Sequence, residues 1–230
     1  MERQKMKKKT LYIILSVLIL SVLMSLIDGF IKPPYFIKSI IKVVLFLIVP
    51  MAYFAFYKEE RKQLGELFVP KSKDFFRAIV LGVLVYGVIV GAYFLLRGTF
   101  DFTSIAGSLV SDVGVTADNF IYVALYISFA NSLLEEFFFR GFAFITLKEK
   151  TGRKFAYIFS GALFAFYHVG MTAGWFHIVV FILAFSGLFV GGLIFNYLNE
   201  KFKNIYPSWL VHMCANFAIN TIGFMLFGII

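Results

Sequence analysis

Three short polar clusters interrupt an oily chain of 230 residues. Glu135 and Glu136 are adjacent and precede Arg140, His168 closes the run Phe164-Ala165-Phe166-Tyr167-His168, and His212 and Asn216 stand four residues apart. A carboxylate with an imidazole is a pairing for general acid–base work. An imidazole and a carboxamide together can donate to a developing oxyanion. The same groups also suit a metal, because Glu135, His168 and His212 with one water would make a His₂Glu zinc set. Residues four apart on a helix share a face, so Glu136 should pair with Arg140, the acid standing on the favourable N-terminal side. Glu135 then lies about 100° around the helix, free to face other groups. Ser132 and Cys214 are poor nucleophiles, since neither has a histidine at helical spacing to act as its base. Water is the better nucleophile, with Glu135 as its base and His168 assisting. His177, beside Trp175, reads as an interfacial residue rather than part of the site.

The elements that must carry these groups follow from composition. Apolar residues make up 60% of the chain and charged residues 15%, against about 45–50% and about 25% in soluble domains. With a mean hydropathy of +0.86, a soluble globular domain is excluded. Runs long enough to cross a bilayer core of about 30 Å occur seven times: Thr10–Ile27, Ser39–Tyr57, Ala78–Leu96, Phe120–Leu147, Phe155–Met171, Phe176–Leu198 and Tyr206–Ile230. The fold expected is therefore an all-α polytopic membrane protein of about seven transmembrane helices, a single integral-membrane domain over residues 1–230. Its active-site groups fall on spans 4, 5 and 7. The first run is basic ahead of its apolar stretch but lacks a small-residue cleavage site, which favours a retained helix over a signal peptide.

Of the 22 Lys and Arg residues, 17 fall in connections on one side, three on the other, and Lys42 and Arg140 inside runs. The positive-inside rule then places the N-terminus in the cytoplasm and the C-terminus outside, in a cell membrane. The net charge of +9 reads as membrane-surface charge, so no nucleic-acid partner is expected. Between spans, Lys58–Arg77 is a basic cytoplasmic loop and Arg97–Asn119 an irregular external segment or short interfacial helix. Gly187, Gly191 and Gly192 suggest close helix approach in the sixth span. Counting about 1.5 Å per residue from the cytoplasmic edge puts Glu135 and His168 about 18–20 Å deep but His212 only about 9 Å deep, a stagger of about 10 Å.

In chain order the clusters read Glu135-Glu136-Phe137-Phe138-Phe139-Arg140, Phe164-Ala165-Phe166-Tyr167-His168 and His212-Met213-Cys214-Ala215-Asn216. This set resembles the E-E-x-x-x-R, F-x-x-x-H and H-x-x-x-N/D motifs of the CPBP family of intramembrane proteases, which includes type II CAAX prenyl endopeptidases and bacteriocin-processing or immunity proteins. The resemblance covers residues 120–220, an expected catalytic core. It implies catalytic roles for Glu135, Glu136, Arg140, His168, His212 and Asn216, with His212 and Asn216 serving the oxyanion. The family is often described as metalloproteases, and a metal-free glutamate mechanism has also been put forward for it. Zn²⁺ held by Glu135, His168 and His212 therefore stays an open alternative to water activation without a tightly held metal. The expected substrate is a peptide or protein tail reaching the site from the bilayer or the cytoplasmic side. The competing functions are a transporter or an immunity protein that binds through the same polar cluster without cutting, and a purely structural set of interhelical contacts.

Overall fold

A computed structural model of the protein describes residues 2–70, 75–172 and 177–230, with the side chains of Glu2, Arg3, Lys5 and Gln63 left aside. Lys71 and Lys73 of the charge count, and Trp175 and Phe176 at the expected start of the sixth span, lie outside the described residues. Among those described there is no strand. Seven helices are long and apolar enough to cross a membrane: α1 (Met6–Ile31), α2 (Tyr35–Phe56), α4 (Phe75–Leu96), α6 (Phe120–Thr151), α7 (Arg153–Thr172), α8 (Ile178–Phe202) and α9 (Tyr206–Leu226). Two shorter helices lie in the connections, α3 (Lys58–Leu67) and α5 (Thr103–Val113). The segment expected to be irregular or interfacial is thus helical in its middle. It stops at Gly114, whose φ of 69° gives the left-handed cap that glycine adopts at low cost.

Lipid solvates the outward faces. Large apolar side chains lie open along α1, α2, α4 and α8, with Val88 70% exposed, while Ser21, Asp28, Lys38, Lys42, Asn196 and Asn199 are buried. The interior is built on the second half of α6, where Phe138, Phe139, Phe142 and Phe144 are fully buried. Phe46 of α2 stacks on Phe138 with ring centroids 4.0 Å apart, and Phe164 of α7 meets Phe139 edge-on at 5.4 Å. Association of helices in lipid depends on such van der Waals packing, because the tails are as apolar as the side chains.

Glycines allow close approach between helices at several places, Gly82 and Gly192 among them. A Cβ on Gly82 of α4 would lie 2.6 Å from Cys214 Sγ of α9, so this cysteine is a packing residue filling a glycine notch. Gly192 of α8 meets Gly161 of α7, where an added Cβ would come within 3.0 Å of the facing Cα. The expectation for Gly187 and Gly191 is corrected here, since a Cβ on either would meet nothing within 4 Å. They lie off the α7 contact.

Among the described residues, four π-helical segments interrupt the ordinary winding: Ile27–Ile31 in α1, Val44–Ile48 in α2, and Ile127–Asn131 and Phe137–Ile145 in α6. The two in α6 flank one turn of α-helix, Ser132–Glu136. At the end of the molecule bearing the N-terminus, Glu60 of α3 gathers Lys9 of α1 at 3.2 Å, Lys150 of α6 at 3.1 Å and the Tyr53 hydroxyl of α2 at 2.7 Å. That cluster docks the short α3 across the ends of three membrane-crossing helices.

Candidate active site

The single α-helical turn between the π segments keeps Glu135 and Glu136 on different faces. Glu135 looks toward α2 and α7, and Glu136 toward α9. Both are buried, as is Arg140, whose exposure is 0%. Glu136 Oε1 pairs with Arg140 Nη1 at 3.5 Å and with His212 Nδ1 at 3.0 Å. None of the Arg140 nitrogens makes a hydrogen bond. Its guanidinium lies instead against the rings of Phe164, at 4.2 Å, and Phe195, at 4.9 Å, a cation–π arrangement that gains strength away from water.

The histidines converge on the other carboxylate. His212 Nε2 lies 3.6 Å and His168 Nε2 3.9 Å from Glu135 Oε2. His168 Nδ1 is 2.7 Å from the Phe164 carbonyl. A carbonyl only accepts, so Nδ1 carries the proton and Nε2 of a neutral ring presents a lone pair. The same reasoning at the Glu136 carboxylate puts the His212 proton on Nδ1. These tautomers are assigned from the network. Three acceptors, Glu135 Oε2 and two imidazole Nε2 atoms, therefore face one another, and Glu135 Oε2 is buried without a hydrogen-bond partner. A knot of acceptors of this kind is completed by a species that brings hydrogens or positive charge, of which water is the simplest.

The opposite oxygen of Glu135 has the reverse environment. Oε1 receives Lys42 Nζ at 2.7 Å, Asn131 Nδ2 at 2.7 Å and the Tyr167 hydroxyl. Sequence reasoning passed over these three, although one signal was available. Lys42 is a charge inside an apolar run, and an ionised group at bilayer depth needs a partner; two buried acids against two in-run cations suggests two pairs.

The structure brings Glu135, Glu136, Arg140, His168 and His212 together. Asn216 stands beside the group with its amide nitrogen donated to the Ile127 carbonyl at 3.1 Å. Asn220, one turn on, likewise donates to the Ala124 carbonyl at 3.1 Å and to Ser128 Oγ at 2.9 Å. A π turn loosens the carbonyl ladder of its helix, and these two carboxamides hold α9 against that stretch of α6. His177 is remote from the site: it caps α8, its Nδ1 accepting from the Val179 amide at 3.3 Å, and rests on Phe100. Ser132 accepts from Trp209 Nε1 at 3.0 Å and donates to the Ser128 carbonyl, with no histidine beside it.

The stagger of about 10 Å between Glu135 and His212 does not exist, since the two side chains are 3.6 Å apart. The seventh helix starts at Tyr206, where it was expected, and α6 with 32 residues is about 48 Å long, well beyond a bilayer core. A count along each helix axis takes no account of how the helices tilt and slide against one another.

Glu135 Oε2 and the Nε2 atoms of His168 and His212 are the donors a zinc ion would meet. Among the described residues, however, no group of three or more His, Cys, Asp and Glu side chains is arranged to hold a metal ion, and a lysine ammonium occupies the other oxygen of that glutamate. Beside the site, an apolar cavity of about 690 Å³ lies between α2, α3 and α6, lined by residues that include Val43, Leu47, Phe54, Leu64, Leu133 and Phe137.

Residues 117–218 match a family model described as type II CAAX prenyl endopeptidase Rce1-like. The matched stretch holds all six expected site residues and is consistent with the CPBP resemblance. No curated protein and no solved structure shows a significant match to the chain.

Proposed function

We propose that this protein is an intramembrane endopeptidase of the CAAX type that hydrolyses a peptide bond with water activated by Glu135. The observation that carries the reading is the knot of three acceptors, Glu135 Oε2 with the Nε2 atoms of His168 and His212, inside an Rce1-like domain. A water held there donates one hydrogen to Glu135 Oε2 and the other to an imidazole. Glu135 takes the proton as the water oxygen attacks the scissile carbonyl. His212 can accept a proton in turn, because Glu136 lies on its Nδ1 side and stabilises an imidazolium. Arg140 faces the second charge of that pair. Asn216 keeps one amide N–H beyond the bond to Ile127, the group left for the oxyanion. No step is assigned to a metal.

The substrate class is a membrane-associated peptide or protein tail. The cavity lined by Leu133, the residue two before Glu135, suits an apolar chain carried by that tail, and a prenylated tail is the case to which the family description points. In this reading the N-terminus is cytoplasmic, the C-terminus is external and the protein resides in the cell membrane. A second reading, an ion or peptide transporter, draws on the buried pairs Asp28–Lys38 and Lys42–Glu135, since intramembrane charges mark ion paths.

The test is cleavage by purified protein in lipid nanodiscs, using peptide libraries with and without a C-terminal prenyl group and mass spectrometry as the readout. Wild type should generate fragments, and Glu135→Gln should insert and purify normally yet generate none. Absence of fragments from wild type would remove the protease assignment, and undiminished turnover by Glu135→Gln would remove Glu135 as the base.

A further inference from the structure

Lys42 is left without a part in the chemistry described above, although it is bonded directly to Glu135. Its Nζ lies 2.6 Å from Asn131 Oδ1, 2.7 Å from Glu135 Oε1 and 2.9 Å from the Tyr167 hydroxyl oxygen. An ammonium has three hydrogens, and here each has an acceptor. Two of these acceptors pass the interaction on. Asn131 donates through its Nδ2 to Glu135 Oε1 at 2.7 Å, and Tyr167 donates its hydroxyl hydrogen to the same oxygen. Lys42, Asn131 and Glu135 close one ring, and Lys42, Tyr167 and Glu135 close another. The braces come from α2, α6 and α7.

Oε1 thus holds three donors and is saturated, whereas Oε2 has none. The carboxylate cannot turn about its terminal torsion without giving up all three bonds to Oε1. Its only base-competent oxygen is therefore held toward His168 and His212. We propose that Lys42 is a positioning residue for the reaction assigned to Glu135, fixing which oxygen of that carboxylate faces the water. The proposal rests on the protease reading.

A counter-ion that merely neutralised charge would look different, and α2 supplies the comparison. One turn away, Lys38 pairs with Asp28 at 3.1 Å, also buried. Among the described residues no amide or hydroxyl is hydrogen-bonded to that pair, and Asp28 Oδ1 makes no hydrogen bond. Both lysines serve charge balance, but only Lys42 belongs to a closed network with the proposed base.

The experiment measures kcat and KM separately, together with the thermal midpoint, for Lys42→Met, Lys42→Arg, Lys38→Met, Glu135→Gln and the double variant Lys42→Met/Glu135→Gln in lipid nanodiscs. A misplaced catalytic group costs about 10²-fold, so Lys42→Met should lower kcat by about that factor with KM changed less than about threefold. Lys42→Arg, which keeps the charge and its donors, should regain about tenfold. Lys38→Met should lower the midpoint while keeping kcat within about threefold of wild type, which separates lost charge balance from lost positioning. The double variant should lose less midpoint than the two single variants combined, because it leaves no stranded charge. Unimpaired kcat in Lys42→Met, a loss confined to KM, no recovery in Lys42→Arg, or additive midpoint losses would each overturn the role of Lys42. A wild-type protein that cuts no peptide overturns that role together with the protease reading, whereas a cutting wild type with an unimpaired Lys42→Met overturns the role alone.

Discussion

Replacing Glu136 by Gln tests two functions of one carboxylate. The first is charge balance. Arg140 is fully buried, its nearest anionic atom is Glu136 Oε1 at 3.5 Å, and none of its nitrogens is hydrogen-bonded. Removing one partner of a buried pair typically costs about 3–5 kcal/mol. The rings of Phe164 and Phe195 lie on the guanidinium in wild type and variant alike, so they leave this loss of about 3–5 kcal/mol unchanged. The second function is to hold His212 with Nδ1 protonated, through the 3.0 Å contact. A carboxamide can present N–H to the ring and select the opposite tautomer, which places a hydrogen on Nε2 where the water needs an acceptor. A wrong tautomer costs up to about 10⁴ in turnover. Thermal unfolding of detergent-purified protein should show the stability loss, and peptide cleavage under conditions where the variant is folded should show the kinetic one. In Glu136→Gln/Arg140→Met the stability loss should be smaller than the sum of the single losses, while turnover stays low because His212 is still misdirected. A Glu136→Gln protein with wild-type melting and wild-type turnover would refute both parts, and recovered turnover in the double variant would refute the tautomer argument alone.

Exhaustive dialysis against chelator should leave wild-type cleavage intact, as expected of a site whose donors do not enclose an ion. Elemental analysis showing about one zinc per chain, lost together with activity, would replace the metal-free mechanism and leave the protease assignment in place. Tags at the two termini should report cytoplasm for the N-terminus and the exterior for the C-terminus in accessibility assays on intact cells. Both tags on one side would require a different number of crossings and a new threading of the helices that carry the site.

Composition and periodic runs were enough to specify seven membrane-crossing helices, because a bilayer demands about 20 consecutive apolar residues for each crossing and leaves few other ways to solvate such a chain. The pairing of Glu136 with Arg140 was legible for a similarly local reason, four residues on one helix being neighbours whatever surrounds them. Glu135, Glu136, Arg140, His168 and His212 could be singled out because ionisable groups stand out in apolar runs. Contacts between helices were not legible. Lys42 and Glu135 are 93 residues apart in the chain, and no periodicity within α2 or α6 says that they meet. Rotation about each helix axis and sliding along it are set by packing against neighbours, so tertiary structure alone decided that His212 bridges both glutamates and that Asn216 supports a π turn. Helix tilt and sliding are likewise set by packing, and a count of about 1.5 Å per residue along each helix separately leaves them out. What the chain determined by itself was the kind of solvent it needs and which residues that solvent makes expensive; which of those residues meet was left to the packing of helices.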